Sequence, residues 1–141
     1  MIFYDDKHNE RYIATVAKMK KKDCYHLSLA YLLALTDETY SHMHLLFNFE
    51  EDGIIRDGLL EEFQTGSSMA ITRLAFNLWN GCSYTGKTYK DELGYEHELP
   101  DVHCTPEMIF SRTTYAPYFY EAIRIRFEMI PEDGIEVIRI D

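Results

Sequence analysis

Three groups of residues in this sequence have types and spacings that could do chemistry. The sharpest is GCSYTGKT at 81–88, which meets the phosphate-loop formula at each required position. In that reading backbone amides around Gly86 surround phosphates, Lys87 reaches the terminal phosphates and Thr88 holds magnesium. The chemistry needs a buried strand ahead of the loop and a helix behind it. Here a helical pattern precedes the motif, and the short, Gly-interrupted TYKDELGYE comes after it. Gly86, Lys87 and Thr88 are therefore a phosphate-binding candidate on pattern alone, while Gly81 also serves as a plain helix stop.

The second group is Cys82, His97, His103 and Cys104. Structural zinc sites bring ligands in close pairs, and only His97 with His103 approaches such a spacing. His103 and Cys104 are adjacent and do not easily turn to one ion, and His42 and His44 would point to different sides of a helix. The acidic run at 48–53 begins like a calcium loop, but its twelfth position is Leu59 where a bidentate glutamate belongs. No serine sits in a strand-turn-helix elbow and no cysteine has a base beside it in sequence. No catalytic set, metal or cofactor is expected.

The third group lies on one stretch, QTGSSMAITRLAFNLWNGCSY at 64–84. Gln64, Thr65 and Ser67 stand at a helix start, where free amides can hold an anion or be capped by side-chain oxygens. Arg73, Asn77 and Asn80 form the one polar line on an otherwise apolar helix. Burying a guanidinium and two amides costs free energy unless each is hydrogen-bonded. These six residues are the candidate ligand pocket; the competing reading is a structural network that ties the helix to neighbouring loops.

The elements that would position these groups are helical. Ile71, Leu74, Ala75 and Leu78 recur at helical spacing, and Met69, Phe76 and Trp79 widen the strip, so a helix over 66–80 must be buried on several sides. Before it, Asp5 or Asp6 starts a helix running to about Met19 with Tyr12, Ile13, Val16 and Ala17 on one face. Asp23 starts a second, CYHLSLAYLLALT, that is apolar all round. Thr36 or Asp37 starts a third, ETYSHMHLLFN, with Tyr40, Met43, His44 and Phe47 inward. Two Asp-Gly pairs follow, and a short hairpin is allowed around the first. Residues 82–104 read as an irregular loop. Thr105 and Pro106 open a short helix, and Pro117 opens another. Residues 123–140 read either as the end of that helix with an extended tail over 129–141, which is favoured, or as a hairpin. The aromatic set Tyr115, Tyr118, Phe119 and Tyr120, with Trp79, could stack a ligand or form an interface, and core packing accounts for most of it.

The chain has 141 residues, 46% of them hydrophobic, which suits one domain burying roughly two-thirds of its unfolded surface. No apolar run approaches the length of a bilayer span, the N-terminal residues lack a secretory pattern, and three widely spaced cysteines make no disulfide framework, so a cytoplasmic protein is expected. The net charge of −10 is uneven: residues 23–63 sum to −8 and 85–107 to −4, against +3 over 1–22. Such a surface repels phosphate backbones and suits a basic protein partner.

The segments QTGSSMAITRLAFNLWNG and YAPYFYEAIRIRF resemble those of a family of short uncharacterised proteins from Gram-positive bacteria and their mobile elements, a domain of unknown function. The likeness runs from about Asp5 to Phe127. This chain has Phe63 where that family commonly has tryptophan, and departs from it after Phe127. The resemblance implies the fold and brings no activity with it. The expected architecture is one mainly helical domain, about five helices around a buried central helix at 66–80. The expected function is non-enzymatic interaction through the acidic 37–62 and 91–101 surfaces, with small-ligand or nucleotide binding as the alternative.

Overall fold

Side-chain caps decide where the helices begin. In the computed structural model, which describes residues 1–111 and 113–128 and, of Tyr84 and Thr85, the backbone, Asp5 accepts the His8 amide at the start of α1 (Asp6–Lys18). Asp23 accepts the His26 amide at the start of α2 (Cys24–Leu33). Thr36, Thr65 and Thr105 do the same for α3 (Asp37–Ser41), α4 (Gly66–Asn80) and α5 (Pro106–Phe110). Each cap satisfies an amide that a helix start leaves without a partner. α6 (Ala116–Arg126) instead carries Pro117 in its first turn, where the missing N–H costs nothing. Gly81 ends α4 in the left-handed conformation, φ 78°, that glycine adopts most cheaply.

The chain is mainly helical, and buried apolar residues among those described form a contiguous core cluster. α2 has no polar stripe: every residue from 28 to 35 is buried, and it packs against α1, α4 and α6. α4 supplies Ile71, Leu74, Ala75, Phe76 and Leu78 to the same core, and α6 supplies Phe119, Ala122 and Ile125. The centre is thus the α2/α4 pair. Arg126 fastens α6 across both: its Nε donates to the Leu78 carbonyl at 2.7 Å, and its guanidinium lies 3.7 Å from the centre of the Tyr25 ring.

Two local expectations change in the structure. α1 buries His8 and Thr15, with Met19 just beyond its end, rather than Ala17, which is exposed, or Ile13, which is 60% exposed. The inward face is chosen by His8, a polar residue that apolar periodicity does not count. The helix expected over ETYSHMHLLFN ends at Ser41, and a 3-10 turn at Met43–Leu45 leads instead into the short strand β1 (Phe47–Asn48), leaving His44 exposed. β1 pairs antiparallel with β2 (Gly53–Ile54), Phe47 opposite Ile54, so the first Asp-Gly pair does make the hairpin that its turn chemistry allows.

Residues 82–104, read as irregular, contain a second antiparallel hairpin, β3 (Tyr84–Lys90) with β4 (Glu96–Pro100). The Asp91 amide donates to the Tyr95 carbonyl at 2.9 Å and the Gly94 amide to the Asp91 carbonyl at 3.0 Å, with Gly94 at φ 85°. That is a three-residue turn closed by a left-handed glycine. The strands escape a reading by alternation because neither face is buried deeply enough to demand apolar residues. β3 packs on a 3-10 turn at Arg56–Leu60, and Gly86, left-handed at φ 85°, lets Leu60 lie where a Cβ would stand, 2.6 Å from its Cδ1. α6 runs as a helix to Arg126; the expected tail over 129–141, and the hairpin alternative beyond residue 128, lie outside the described residues.

His8 makes the fold sensitive to mild acid. The Tyr4 amide donates to its Nδ1 at 3.0 Å, so the ring proton is on Nε2, which donates to the Tyr31 carbonyl at 2.9 Å. Burial pushes its pKa below 6.5, and nearby Arg11 adds to this, against the Tyr31 carbonyl and Asp5, which pull the other way. A base with a depressed folded pKa gives stability that is complete above the unfolded value of about 6.5 and is lost as pH falls from there to the folded value. A His8→Gln variant keeps a donor for Tyr31 but cannot titrate. Its midpoint in urea is expected to fall less than that of the wild type between about pH 7.5 and 5.5. Parallel losses would show that His8 is not the titrating group.

Candidate functional site

The start of α4 is occupied by its own chain. Thr65 Oγ1 accepts the Ser68 amide while Ser68 Oγ accepts the Thr65 amide at 2.7 Å, a reciprocal capping box. Gln64 completes it: Oε1 accepts from Ser68 Oγ at 2.6 Å and Nε2 donates to the Gly58 carbonyl at 3.0 Å. Thr65 Oγ1 also reaches Glu38 of α3 at 3.0 Å. Thr65 and Ser67 are both exposed, and Ser67 has no part in the capping box. Ser67 lines a cleft of about 290 Å³ with Gly66, Ala70, Met108, Ile109 and Thr113.

Further along α4 the polar line divides. Arg73 Nε donates to Asp101 Oδ2 at 2.6 Å, and the Asp101 carboxylate is 2% exposed. Asp101 also accepts the His103 amide on Oδ1 at 3.0 Å and the Cys104 thiol on Oδ2 at 3.6 Å, and its own amide donates to the Ser83 carbonyl at 2.6 Å. It thus pins the exit of β4 and the turn at Val102–Cys104 to the middle of α4. Burial works to raise its pKa, but the His103 amide and Arg73 outweigh burial and hold the carboxyl below its ordinary value. Asn80 Oδ1 accepts the Cys82 amide at 3.1 Å and stays exposed; Asn77 is half-buried. Asn80, Gly81, Cys82 and Ser83 edge a shallow pocket of about 370 Å³ closed on the far side by Arg56, Glu98, Leu99 and Pro100.

The six candidates are therefore not gathered around one cavity. Gln64, Thr65 and Ser67 stand at one end of α4, Asn80 at the other, and Arg73 faces Asp101 between them. Gly86, Lys87 and Thr88 lie on β3, and Thr88 Oγ1 donates to Glu96 Oε2 at 2.6 Å. Beyond Gly86 the chain continues as a strand, without the helix start that a phosphate loop uses. Among the described residues no three His, Cys, Asp or Glu side chains are placed to hold a metal ion. Cys104 is a poor nucleophile at neutral pH, because burial and the neighbouring Asp101 charge push its thiol up to about 12.

Two groups are absent from the reading by motif. Asp101 sits in an acidic run whose other members are exposed; the one hint was an aspartate two residues ahead of His103, where it caps the turn. His26 is buried, 4% exposed, with Nδ1 2.6 Å from Asp23 Oδ1 and Nε2 2.7 Å from Asp52 Oδ1, and with the edge of the Trp79 ring against it. Its signal was its place three residues after the Asp23 cap.

Two acidic segments of the sequence meet at the β3/β4 hairpin. β3 lies on the 3-10 turn at Arg56–Leu60, and Arg56 pairs with Glu98 of β4. The exposed carboxylates Glu50, Glu51, Asp57, Glu61 and Glu62 thereby come from the segment that carries the hairpin, whose own exposed acids are Glu92, Glu96 and Glu98. Exposed apolar side chains stand among them: Leu60, Leu93, Tyr95 and Leu99, with Leu93 81% exposed. Among the described residues no helix is long and apolar enough to cross a membrane. No curated protein and no solved structure matches the chain. A family model does match, over residues 1–136, and by that match the chain belongs to DUF6075, a family of unknown function.

Proposed function

We propose that this protein is a non-enzymatic interaction protein that takes a basic protein partner on its acidic face. The observation that carries the reading is the packing of β3 and β4 on the 3-10 turn at Arg56–Leu60, through the Arg56 to Glu98 pair and the Leu60 to Gly86 contact. It joins two acidic segments distant in sequence into one region with apolar side chains exposed among the charges, a composition suited to steering and then holding a cationic surface. The internal use of Gln64, Thr65 and Arg73 favours this reading over a ligand pocket on α4. The same charge disfavours general binding to nucleic acid. Free thiols at Cys24, Cys82 and Cys104 suit a reducing cytoplasm, and the sequence resemblance supports an origin on a mobile element.

The test is affinity capture from a host extract by the wild type and by a variant with Glu61, Glu62, Glu92 and Glu96 changed to lysine. A basic protein should be retained by the wild type at about 50 mM salt, released near 300 mM, and lost from the variant by about tenfold or more when rebound in purified form. Equal capture by both proteins, or capture of no basic protein at low salt, overturns the reading.

A further inference from the structure

Among the described residues no further strand pairs with the outer edge of β4, and the turn at the hairpin tip reveals which backbone groups line that edge. In an antiparallel pair, residues alternate between those that exchange backbone hydrogen bonds with the partner strand and those whose N–H and C=O point away. The Asp91 amide bonds to the Tyr95 carbonyl, and the register places Lys90 opposite Glu96, Tyr89 opposite His97 and Thr88 opposite Glu98. Counting outward from the turn, Tyr89 and His97 face each other with their backbone groups. Those of Glu96 and Glu98 point away from β3. Among the described residues β4 pairs with β3 alone, and all five of its residues are exposed.

The side chains along this edge say what could pair with it. Glu96 and Glu98 lie on one face of the ribbon, the face on which Thr88 and Arg56 meet them. Tyr95, His97 and Leu99 lie on the other, where His97 stacks on Tyr89 with ring centres 5.3 Å apart. An exposed, unpaired edge is a template for another strand. A second copy of this chain suits it poorly, because an antiparallel pairing of two such edges sets carboxylates directly opposite carboxylates, which is destabilising.

We propose that β4 is the docking edge for an extended segment of a basic partner, with lysine or arginine at alternate positions opposite Glu96 and Glu98 and apolar side chains between them against Tyr95 and Leu99. The main chain of that segment adds a third strand through the outward N–H and C=O groups of Glu96 and Glu98. Charge sets its composition and the two-residue strand repeat sets its spacing. This inference rests on the acidic-face reading and specifies how the partner is held.

Two acetylated and amidated heptapeptides of one composition separate the two ideas: KVKVKVK, which alternates, and KKKKVVV, which does not. The alternating peptide is expected to bind about tenfold or more tightly than the block peptide at about 50 mM salt. On binding it should slow hydrogen exchange at the Glu96 and Glu98 amides by about tenfold or more, those amides being open in the free protein. Glu96→Gln should cost about two- to threefold in affinity, and Glu96→Pro, which removes an outward N–H that the β3 ladder does not use, about tenfold or more. Equal affinity for the two peptides with no amide protection overturns strand pairing and leaves the acidic face standing. Absence of binding by either peptide at low salt overturns both. The exchange measurement uses the unaltered protein, so its outcome does not depend on how well the proline variant folds.

Discussion

Asp101→Ala is expected to lose about 3 kcal/mol of stability, toward the lower end of what breaking a buried ion pair costs, because Arg73 keeps some solvent contact. The loss has several sources. Arg73 is left half-enclosed without its counter-ion, the His103 amide loses its acceptor, and the exit of β4 loses its tie to α4. An Arg73→Met, Asp101→Leu double variant removes both charges together and should recover a good part of the loss, since the expense lies in the orphaned charge. Urea denaturation of the three proteins decides this. A loss below about 1 kcal/mol for Asp101→Ala would mean that the pair behaves as an exposed one.

The same pair predicts the acid limb of the stability curve. Asp101 has its carboxyl pKa lowered in the folded protein. A depressed carboxylate contributes stability that is present above its unfolded value of about 3.9 and disappears as pH falls through the folded value. An Asp101→Asn variant should therefore sit well below the wild type at neutral pH and approach it in strong acid. His8 acts in a separate window, from about pH 6.5 downward to its own folded value, with the same sign. A gap between Asp101→Asn and wild type that stays constant down to about pH 2 would assign the effect to packing and neutral hydrogen bonds.

Phe76→Ala is expected to have an effect at least as large, about 3–5 kcal/mol, because the ring is 1% exposed on the face of α4 turned to the core and its neighbours are already close-packed. The matched control is Ile13→Ala on α1, where an apolar side chain is 60% exposed and the change should stay within about 0.5 kcal/mol. Thermal or urea unfolding of both variants measures the contrast. If the two substitutions cost the same, α4 is not the sealed element that its sequence and burial describe.

Legibility in this chain followed burial. α2 and α4 could be read because a helix buried on several sides must be apolar on several sides, and that requirement is written in consecutive residues such as Leu29 to Leu35 and Ile71 to Leu78. The caps Asp23 and Thr105, and to within a few residues Asp5, Thr36 and Thr65, were readable for a different reason: a helix start needs its acceptor within three residues, so the signal is local. The β3/β4 hairpin was not readable, since a ribbon mostly exposed to water puts little demand on hydropathy, and its turn residues Asp91 and Gly94 also suit a plain loop. His8 displaced Ile13 from the core face of α1 through a hydrogen bond to Tyr31, 23 residues away.

For the site, residue types alone marked Gln64 and Thr65 as groups of a helix start and Arg73 as one that needs a partner, because a guanidinium on a buried helix cannot be left unsatisfied. Which partners they took was decided only by the tertiary structure. Gln64 met Gly58, and Arg73 met Asp101 at a separation of 28 residues. The acidic composition likewise came from the sequence, whereas the joining of the Arg56–Leu60 turn to the hairpin came from Gly86 admitting Leu60 and from Arg56 reaching Glu98. Local chemistry sets what a segment needs, and only the packing of distant segments sets where that need is met, because contacts across many residues leave no periodic trace in the chain.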